Sequence, residues 1–397
     1  MCEYLAKKGY NVDVFTGFPY YPFGEDFSFW YKKKKISHSR IFFTEQINGV
    51  KVIRSNLYKP KKPNTPKRIL HEESFLFAAA IRLLFTFDKY DLIVCISPPL
   101  FLGLLAYMFS RFKKAPFIVH IQDLQPDAAV ELGFLKKGAF TSFLYAVERF
   151  IYKKADFVLT ISEGMRKKII SKGIGEDKVN VFYDWANLNK AKAIGRKNNF
   201  SRQHGLDDKF IVLHAGNMGE KQDMRIILEA ATKMAGDKSV CFLLVGRGTK
   251  RAGVEDYIKK HNLVNALLLD VQPVEIVNEM FSSCDVALIT QGRDVKDIVM
   301  PSKVFHPASL ERPLIIAASD DCEIAKLARA HNFGLVIPPQ DPDSLVSAIY
   351  SIKNDNRLAV ELGKNGRLFM ADERKMEDVL DGFEKIFLNR YNNKKEE

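Results

Sequence analysis

The chain has 397 residues, a mass of 45.3 kDa and a formal net charge of +12, with 47% hydrophobic and 27% charged residues. This length predicts two domains, and the composition excludes a wholly disordered or fibrous protein. The five cysteines include no CxxC pair, which excludes a zinc ribbon and argues against a disulfide framework. We therefore expect a protein of the reducing cytoplasm.

Positive charge and phenylalanine are concentrated in the first half of the chain. Residues 1–190 carry 30 Lys+Arg against 18 Asp+Glu, a surplus of 12, whereas residues 191–397 carry 30 of each. Of the 30 phenylalanines, 21 precede residue 191. The basic half is thus expected to meet an anionic partner, which the charge alone leaves open as lipid, nucleic acid or a phosphorylated substrate.

In chain order, the first half alternates helices and strands. Strands are predicted at residues 11–16, 50–54, 92–96, 117–121, 157–161 and 179–183, and helices at residues 2–8, 72–87, 100–112, 139–154 and 163–172. The apolar run 92–110 has the length of a membrane span, but Pro98 and Pro99 interrupt it, which favours a strand followed by a helix. Because the sequence opens inside a helix, we expect this unit to lack its first strand.

The second half repeats the alternation after a polar linker at residues 189–203. Strands are predicted at residues 210–215, 240–245, 266–270, 286–289, 314–317 and 334–336, and helices at residues 224–234, 254–260, 276–282, 303–310, 322–330 and 343–353. Continuous apolar strands separated by helices indicate parallel sheets covered on both faces. The sequence therefore predicts two consecutive doubly wound α/β units.

Three short motifs follow predicted strands or open a helix in the second half: GNMGEK at 216–221, VGRG at 245–248 and VMPSK at 299–303. Glycines at such turns bring backbone N–H groups close to a phosphate, and a lysine neutralises its charge. Ser302 is predicted to cap the helix that follows. Each motif alone also fits an ordinary turn, but together they favour a nucleotide-diphosphate site at the carboxyl ends of the strands.

Other motifs, present or absent, exclude some classes of nucleotide-binding and metal-binding protein. GxxxxGK[ST] is absent, and so is GxGxxG with a downstream acid, which excludes a P-loop enzyme and argues against NAD. Asp341 and Asp343 form a DxD pattern, but their position before a helix favours Asp343 as an N-cap over a metal ligand.

Two carboxylates, Asp123 and Asp127, follow the predicted strand 117–121. They are candidates for acid–base catalysis at a sugar hydroxyl or a leaving group. The alternative is that they only form hydrogen bonds within a loop. His120, inside the strand, is predicted to be a core residue.

With these motifs the sequence resembles the GT-B glycosyltransferases of the retaining family 4. Within that family it is most similar to the WbuB-type L-fucosamine transferases of surface-polysaccharide assembly. The resemblance covers nearly the whole chain and is carried by TGFPYYP at 16–22, SPP at 97–99, QDLQPD at 122–127, ISE at 161–163, GNMG at 216–219, VGRG at 245–248, PSK at 301–303 and RPLI at 312–315.

The resemblance implies two Rossmann-like domains facing a cleft. Residues 1–188 would bind the acceptor, residues 189–203 link the domains, residues 204–375 bind the nucleotide sugar, and the helix 376–397 packs back on the first domain. The implied donor is a UDP-sugar carrying N-acetyl-L-fucosamine or a related sugar, and the implied acceptor is a polyprenyl-diphosphate-linked saccharide of O-antigen or capsule. Retention of configuration without a metal or cofactor is also implied, on the inner face of the cytoplasmic membrane.

The resemblance also assigns roles to individual residues. The donor would be bound by Gly216, Asn217, Lys221, Gly246, Gly248, Gln272, Pro273, Ser302 and Lys303, with Gln272 and Pro273 framing the base. Asp123 and Asp127, identified above from their position after a strand, are the predicted catalytic residues. The sequence departs from the family pattern in three places. The expected lack of the first strand would remove the glycine-rich loop that meets the diphosphate from the acceptor side. The usual Glu-x7-Glu falls near Ile298 and His306, neither of which is acidic, and Gln122-Asp123 stands where a His-Asp pair is common.

Two lysine tracts predict attachment to an anionic membrane surface. Residues 32–35 are four lysines that follow the aromatic residues 29–31, and residues 59–62 form a second tract. The alternative is a solvated face. Rival functions are a UDP-sugar epimerase of GT-B fold and an inactive, truncated glycosyltransferase or scaffold. A nucleic-acid-binding protein is not expected, because the phosphate-site motifs lie in the neutral half.

Overall fold

A computed structural model describes residues 1–396 except 21–25, 38, 62–63, 293–294 and 296–299. The helices are α1 Cys2–Lys7, α2 Ser28–Lys34, α3 Thr65–Leu84, α4 Leu102–Lys113, α5 Gln125–Glu131, α6 Ala139–Lys154, α7 Glu163–Ser171, α8 Asn199–Gln203, α9 Met224–Lys233, α10 Arg251–Lys260, α11 Val277–Ser283, α12 Phe305–Ser309, α13 Glu323–Ala330, α14 Pro342–Asn354, α15 Asn356–Glu373 and α16 Met376–Glu396. The strands are β1 Asp13–Gly17, β2 Phe42–Ile47, β3 Val50–Ser55, β4 Ile93–Ser97, β5 Phe117–Ile121, β6 Phe157–Thr160, β7 Val179–Val181, β8 Phe210–Ala215, β9 Val240–Val245, β10 Ala266–Leu269, β11 Val286–Thr290, β12 Leu314–Ala317 and β13 Gly334–Ile337.

The strands of the first half form two sheets. One has the order β1-β3-β2, in which β1 is parallel and β2 antiparallel to β3, and the other has the order β4-β5-β6-β7. The β2–β3 hairpin turns at Asn48 and Gly49, whose φ angles of 49° and 83° suit a tight turn between twisted strands. Strands β1 and β4 are edge strands; every residue of β1 is half-buried, and Ile96 in β4 is 47% exposed.

The second half contains a six-stranded sheet with the order β10-β9-β8-β11-β12-β13, and all five pairings are parallel. Every residue of β9, β11 and β12 is buried. Helices α9 and α14 contribute buried side chains such as Ile227 and Ile349 to the core on this sheet. Both faces are covered, which explains the continuous apolar runs, and the predicted α/β fold with parallel sheets is confirmed.

Contacts within the chain divide it into two compact units. The first comprises Met1–Ile121, Ala146–Val158 and Glu384–Glu397, and the second comprises Gln122–Tyr145 and Leu159–Phe383. Within the first unit, Tyr10 donates a hydrogen bond to Glu384 of α16 (2.9 Å), and Lys8 forms an ion pair with the same carboxylate. The domain boundaries drawn from the sequence stay a prediction.

Within the predicted linker 189–203, the last five residues form α8, because Asn198 and Ser201 cap each other's backbone and Phe200 is buried. One local prediction was wrong. At α14 the N-cap is Asp341 and not Asp343, since Asp341 Oδ1 accepts from the backbone N–H groups of Asp343 (3.1 Å) and Ser344 (3.0 Å).

The aromatic residues beside the first lysine tract pack inward. Tyr31 of α2 is buried with Phe18 and Ile36, and Trp30 packs against the same cluster. Lys34 is ion-paired with Glu45 (2.5 Å), whereas Phe29 is 76% exposed. In the second tract, Lys59 donates to the Tyr31 hydroxyl, and Lys62 lies outside the described residues. Trp30 and Tyr31 are therefore part of a small core, whereas Lys32, Lys33 and Lys35 are exposed.

The apolar run 92–110 divides as predicted into the strand β4 and the helix α4. In the part of the chain that the structure describes, no helix is both long enough and apolar enough to cross a bilayer.

Candidate functional site

The two glycine turns of the second unit are packed on each other. Strands β8 and β9 are parallel neighbours, so the turns that follow them emerge at the same sheet edge. Gly216 N donates to Val245 O (2.8 Å), and Met218 N donates to Arg247 O (2.8 Å). These amides therefore bond to the neighbouring turn and are not directed at a ligand in this arrangement.

Close backbone contact explains why both turns contain glycine. Gly216, Gly246 and Gly248 have φ angles of 134°, 147° and 153°, which side-chain-bearing residues rarely adopt. A Cβ atom on Gly246 would lie 1.9 Å from Gly216 O, and one on Gly248 would lie 2.3 Å from Met218 O. The glycines are required by the packing of the two turns, whatever ligand binds beside them.

Lys303 lies against the first glycine turn. Its Nζ donates to Asn217 O (3.2 Å), and a Cβ atom on Gly216 would lie 2.5 Å from Lys303 Cε. Burial lowers the pKa of Lys303 to about 8. Among the described residues, no carboxylate is within ion-pair distance of this amine. The turn therefore holds a half-buried cation whose charge is not compensated by a described acidic side chain.

His214, at the end of β8, lies beneath the same turn. It is fully buried, and burial together with the charge of Lys303 lowers its pKa to about 3, so the ring is neutral at pH 7. Its Nδ1 lies 3.2 Å from Leu288 O, and no described group hydrogen-bonds its Nε2. No pattern in the sequence predicts a role for this histidine, since it lies in an apolar strand.

Lys221 and Asp123 form an ion pair, with 3.0 Å between Nζ and Oδ1. Both belong to the second compact unit, although 98 positions separate them in the sequence. Their side chains are 29% and 35% exposed, so the pair is accessible to a ligand. One predicted donor-binding residue and one predicted catalytic residue are thus in direct contact.

Asp127, the other candidate catalytic residue, is engaged elsewhere. It lies in the first turn of α5 and forms an ion pair with Lys172, whose amine also lies 5.2 Å from the centre of the Tyr145 ring. Both members of the ion pair are mostly buried, at 14% and 16% exposure. This arrangement indicates that Asp127 holds α5 against α7.

Gln272 and Pro273 follow β10, the neighbour of β9. Gln272 Nε2 donates to Asp270 O (2.7 Å), and Pro273 is exposed. Arg251 connects this strand end to the second glycine turn by donating to both Gly246 O (2.6 Å) and Leu269 O (2.9 Å). The predicted base-framing residues therefore lie beside the second glycine turn, on the six-stranded sheet.

Asn217 and Ser302 are two further predicted site residues. The carboxamide of Asn217 fits between Gly219 and Gly248, where an added Cβ would lie 2.8 Å from Nδ2 and 2.6 Å from Oδ1, respectively. Ser302 does not cap the following helix as predicted. Pro301 occupies the cap position, and Ser302 is the exposed first residue of a short 3-10 helix that continues into α12.

Comparison with known proteins matches both halves of the chain to glycosyltransferase families. The family described as "Glycosyl transferase 4-like domain" matches residues 1–185, and "Glycosyl transferases group 1" matches residues 196–369. The chain is a glycosyltransferase of the GT-B type. WcaI of Escherichia coli (strain K12), whose name describes a glycosyl transferase of colanic acid biosynthesis, is 29% identical over 360 residues, covering 88% of this chain and 86% of WcaI.

Solved structures share the fold of this glycosyltransferase. HepE of Anabaena in complex with UDP-glucose has a TM-score of 0.72 at 13% identity, covering 96% of this chain and 100% of HepE. Sucrose-phosphate synthase from Thermosynechococcus elongatus has a TM-score of 0.73 at 18% identity, covering 99% of this chain and 92% of the synthase.

A glutamate that no sequence motif predicts, Glu323, contacts the start of α7. Glu323 accepts hydrogen bonds from Glu163 N (3.1 Å) and Gly164 N (2.6 Å), which lie within the same compact unit. A carboxylate at a helix N-terminus satisfies free N–H groups and the helix dipole. Of the two positions where the Glu-x7-Glu pattern falls, Ile298 lies outside the described residues. His306 is half-buried against the Phe281 ring (4.9 Å), and burial lowers its pKa.

Proposed function

We propose that this glycosyltransferase moves N-acetyl-L-fucosamine, or a related sugar, from a UDP-sugar to a polyprenyl-diphosphate-linked saccharide in O-antigen or capsule synthesis. The observation that carries the proposal is Lys303, a half-buried cation without a described acidic partner beside the Gly216 turn. A diphosphate would supply the missing negative charge. The complexes of HepE with UDP and UDP-glucose, and the name of WcaI, support this donor and pathway class.

Electrostatics would do most of the catalytic work. In the proposed mechanism the diphosphate displaces Asp123 from Lys221, so that Lys221 and Lys303 both stabilise the charge that develops on the leaving group. The released Asp123 carboxylate then becomes available to the acceptor hydroxyl. Because two lysines supply the positive charge, the proposal requires no metal ion, and the family resemblance favours retention of configuration.

The test is a transfer assay with purified protein, a panel of UDP-sugars and a short-chain polyprenyl-diphosphate saccharide. We expect release of UDP that depends on the acceptor, and a product heavier than the acceptor by one sugar. NMR should show that the transferred sugar keeps the anomeric configuration it has in the donor. Conversion of the UDP-sugar to its epimer without acceptor would favour the epimerase. Binding of UDP without any turnover would favour an inactive protein.

Lys303→Met is expected to weaken UDP binding by about 10- to 100-fold, because hydrogen bonds to charged groups contribute about 1.5–3 kcal/mol. The measurement is calorimetry at pH 7. The same substitution removes a buried charge, so we expect a thermal midpoint equal to or higher than that of the wild type. Unchanged affinity in a folded variant would contradict the assignment.

The pH dependence of UDP binding gives an independent test of Lys303. Its lowered pKa of about 8 means that the amine is charged below pH 8 and loses its charge as the pH rises above 8. Wild-type affinity for UDP should therefore fall by up to about tenfold between pH 7 and pH 9. In Lys303→Met this decline should be absent, whereas a decline of equal size in both proteins would assign it to another group.

A polyprenyl-linked acceptor would bring the enzyme to a membrane. We propose that the enzyme is peripheral on the inner face of the cytoplasmic membrane, supported by the positive surplus of residues 1–190. Because Trp30, Tyr31 and Lys34 are engaged within the protein, the first lysine tract offers less surface than its sequence suggests.

A further inference from the structure

Large apolar side chains are exposed around one end of α4 in the first compact unit. Phe112 is 70% exposed, Met108 on the preceding turn of α4 is 67% exposed, and Phe85 and Phe87 in the loop after α3 are 67% and 82% exposed. Lys113 joins the two segments by donating to Thr86 O (2.5 Å). Single exposed apolar residues are ordinary, but a group this size in one neighbourhood marks an interaction surface.

A polar cavity opens beside these side chains. It has a volume of about 380 Å³ and is lined by Tyr107, Ser110, Arg111, Ala115, Lys154 and Asp156. Phe150 of α6 lies near two of these residues, with its ring 5.5 Å from that of Tyr107 and 5.8 Å from Lys154 Nζ. The exposed apolar residues and the cavity together are called the α4-end surface.

The charges of this cavity favour an anion. Among the described residues, neither Arg111 nor Lys154 has a carboxylate within ion-pair distance. The single acidic lining residue, Asp156, accepts a hydrogen bond from Phe117 N (2.8 Å). Arg111 and Lys154 thus outnumber the one carboxylate around a space that is large enough for a phosphate group.

We propose that the α4-end surface binds an anionic phospholipid bilayer. The phosphate of one lipid would be held by Arg111 and Lys154, and Phe112, Met108 and Phe150 would enter the boundary between head groups and acyl chains. Aromatic side chains beside lysine and arginine are the pattern of proteins that lie on membranes, and anionic lipid supplies the complementary charge. The proposed function, with its membrane-linked acceptor, explains why the enzyme would bind a bilayer. The exposed side chains and the charges of the cavity support the binding surface independently of that function.

The experiment is sedimentation of the full chain with vesicles of phosphatidylcholine alone or mixed equally with phosphatidylglycerol. The wild type should bind the mixed vesicles at low salt. Its binding to the neutral vesicles should be weaker by at least about tenfold. Arg111→Gln/Lys154→Gln and Met108→Ser/Phe112→Ser should each weaken binding to mixed vesicles by about tenfold or more. The matched control is Val264→Ser/Lys364→Gln, two exposed positions on the second unit, and it should bind as the wild type does.

Three outcomes would overturn the proposal. The first is equal binding by all variants, and the second is no binding to either vesicle by the wild type. The third is loss of binding in Lys32→Gln/Lys33→Gln while both α4-end variants bind normally, which would place attachment at the first lysine tract. Binding of millimolar inorganic phosphate by the wild type, with no binding to the mixed vesicles, would assign the cavity to free phosphate.

The proposed function fails separately. If the protein binds mixed vesicles but transfers no sugar, the α4-end surface stands and the enzymatic proposal falls. If it transfers sugar to a short-chain acceptor in solution and ignores vesicles, the opposite holds.

Discussion

Asp123→Asn is expected to lower the rate of sugar transfer by about 10²–10⁴, the range typical of losing a general acid or base. Asp123 follows β5 and contacts Lys221, so it lies beside the proposed diphosphate site. Asparagine keeps the shape of the side chain but neither accepts a proton nor balances a lysine charge. Since the substitution frees Lys221, affinity for UDP should be unchanged or slightly higher.

The measurement is turnover at saturating donor, with UDP affinity determined in parallel. Asp127→Asn provides a comparison inside the same segment: because its carboxylate is held by Lys172, we expect mainly a lower thermal midpoint and less than about a tenfold loss of rate. Asp208→Asn, 92% exposed, controls for the loss of one surface charge. A full rate in Asp123→Asn, or a larger loss in Asp127→Asn, would reverse the assignment.

Gly246→Ala is expected to destabilise the second unit by about 3–4 kcal/mol, an estimate that adds backbone strain to overpacking. The new Cβ would lie 1.9 Å from Gly216 O, and a backbone φ of 147° is unfavourable for alanine. Backbone atoms cannot move aside as a flexible side chain can, so the two turns would have to separate. Donor binding should fall with them, because Lys303 bonds to the first turn.

Urea denaturation measures this effect. The matched control is Gly253→Ala in α10, where no atom beyond the glycine's own stretch of helix lies within 4 Å of the added Cβ, and helix propensity predicts a gain of about 0.5–1 kcal/mol. Similar midpoints for the two variants would mean that the glycine turns are not in contact in solution.

The strands of the second unit were predictable because strands buried on both faces appear in the sequence as continuous apolar runs. β8, β9 and β12 coincide with predicted apolar runs that end at a turn. The first unit was harder. α2 has an apolar face of only a few aromatic residues followed by lysines, and β2 depends on its hairpin with β3, so neither has the period that identifies an isolated element.

The candidate site was predictable only where its residues follow strands. The turns at Gly216 and Gly246 and the position of Lys303 could be inferred from that rule. The contact of Lys221 with Asp123 and that of Glu323 with α7 join segments 98 and about 160 positions apart, and no local pattern encodes such distances. Cap positions were placed one or two residues off at Ser302 and Asp343, because Ser and Asp fit several positions at a helix start.

The edge strand β4 has a consequence for handling the protein. Its five residues, Ile-Val-Cys-Ile-Ser, include neither a charged residue nor a proline, the residues that block strand addition at exposed edges. Such an edge is a template for another extended chain, and the association that results is held by backbone hydrogen bonds. Aggregation by this route would grow with protein concentration and would need no lipid, so it can be told apart from attachment to anionic lipid.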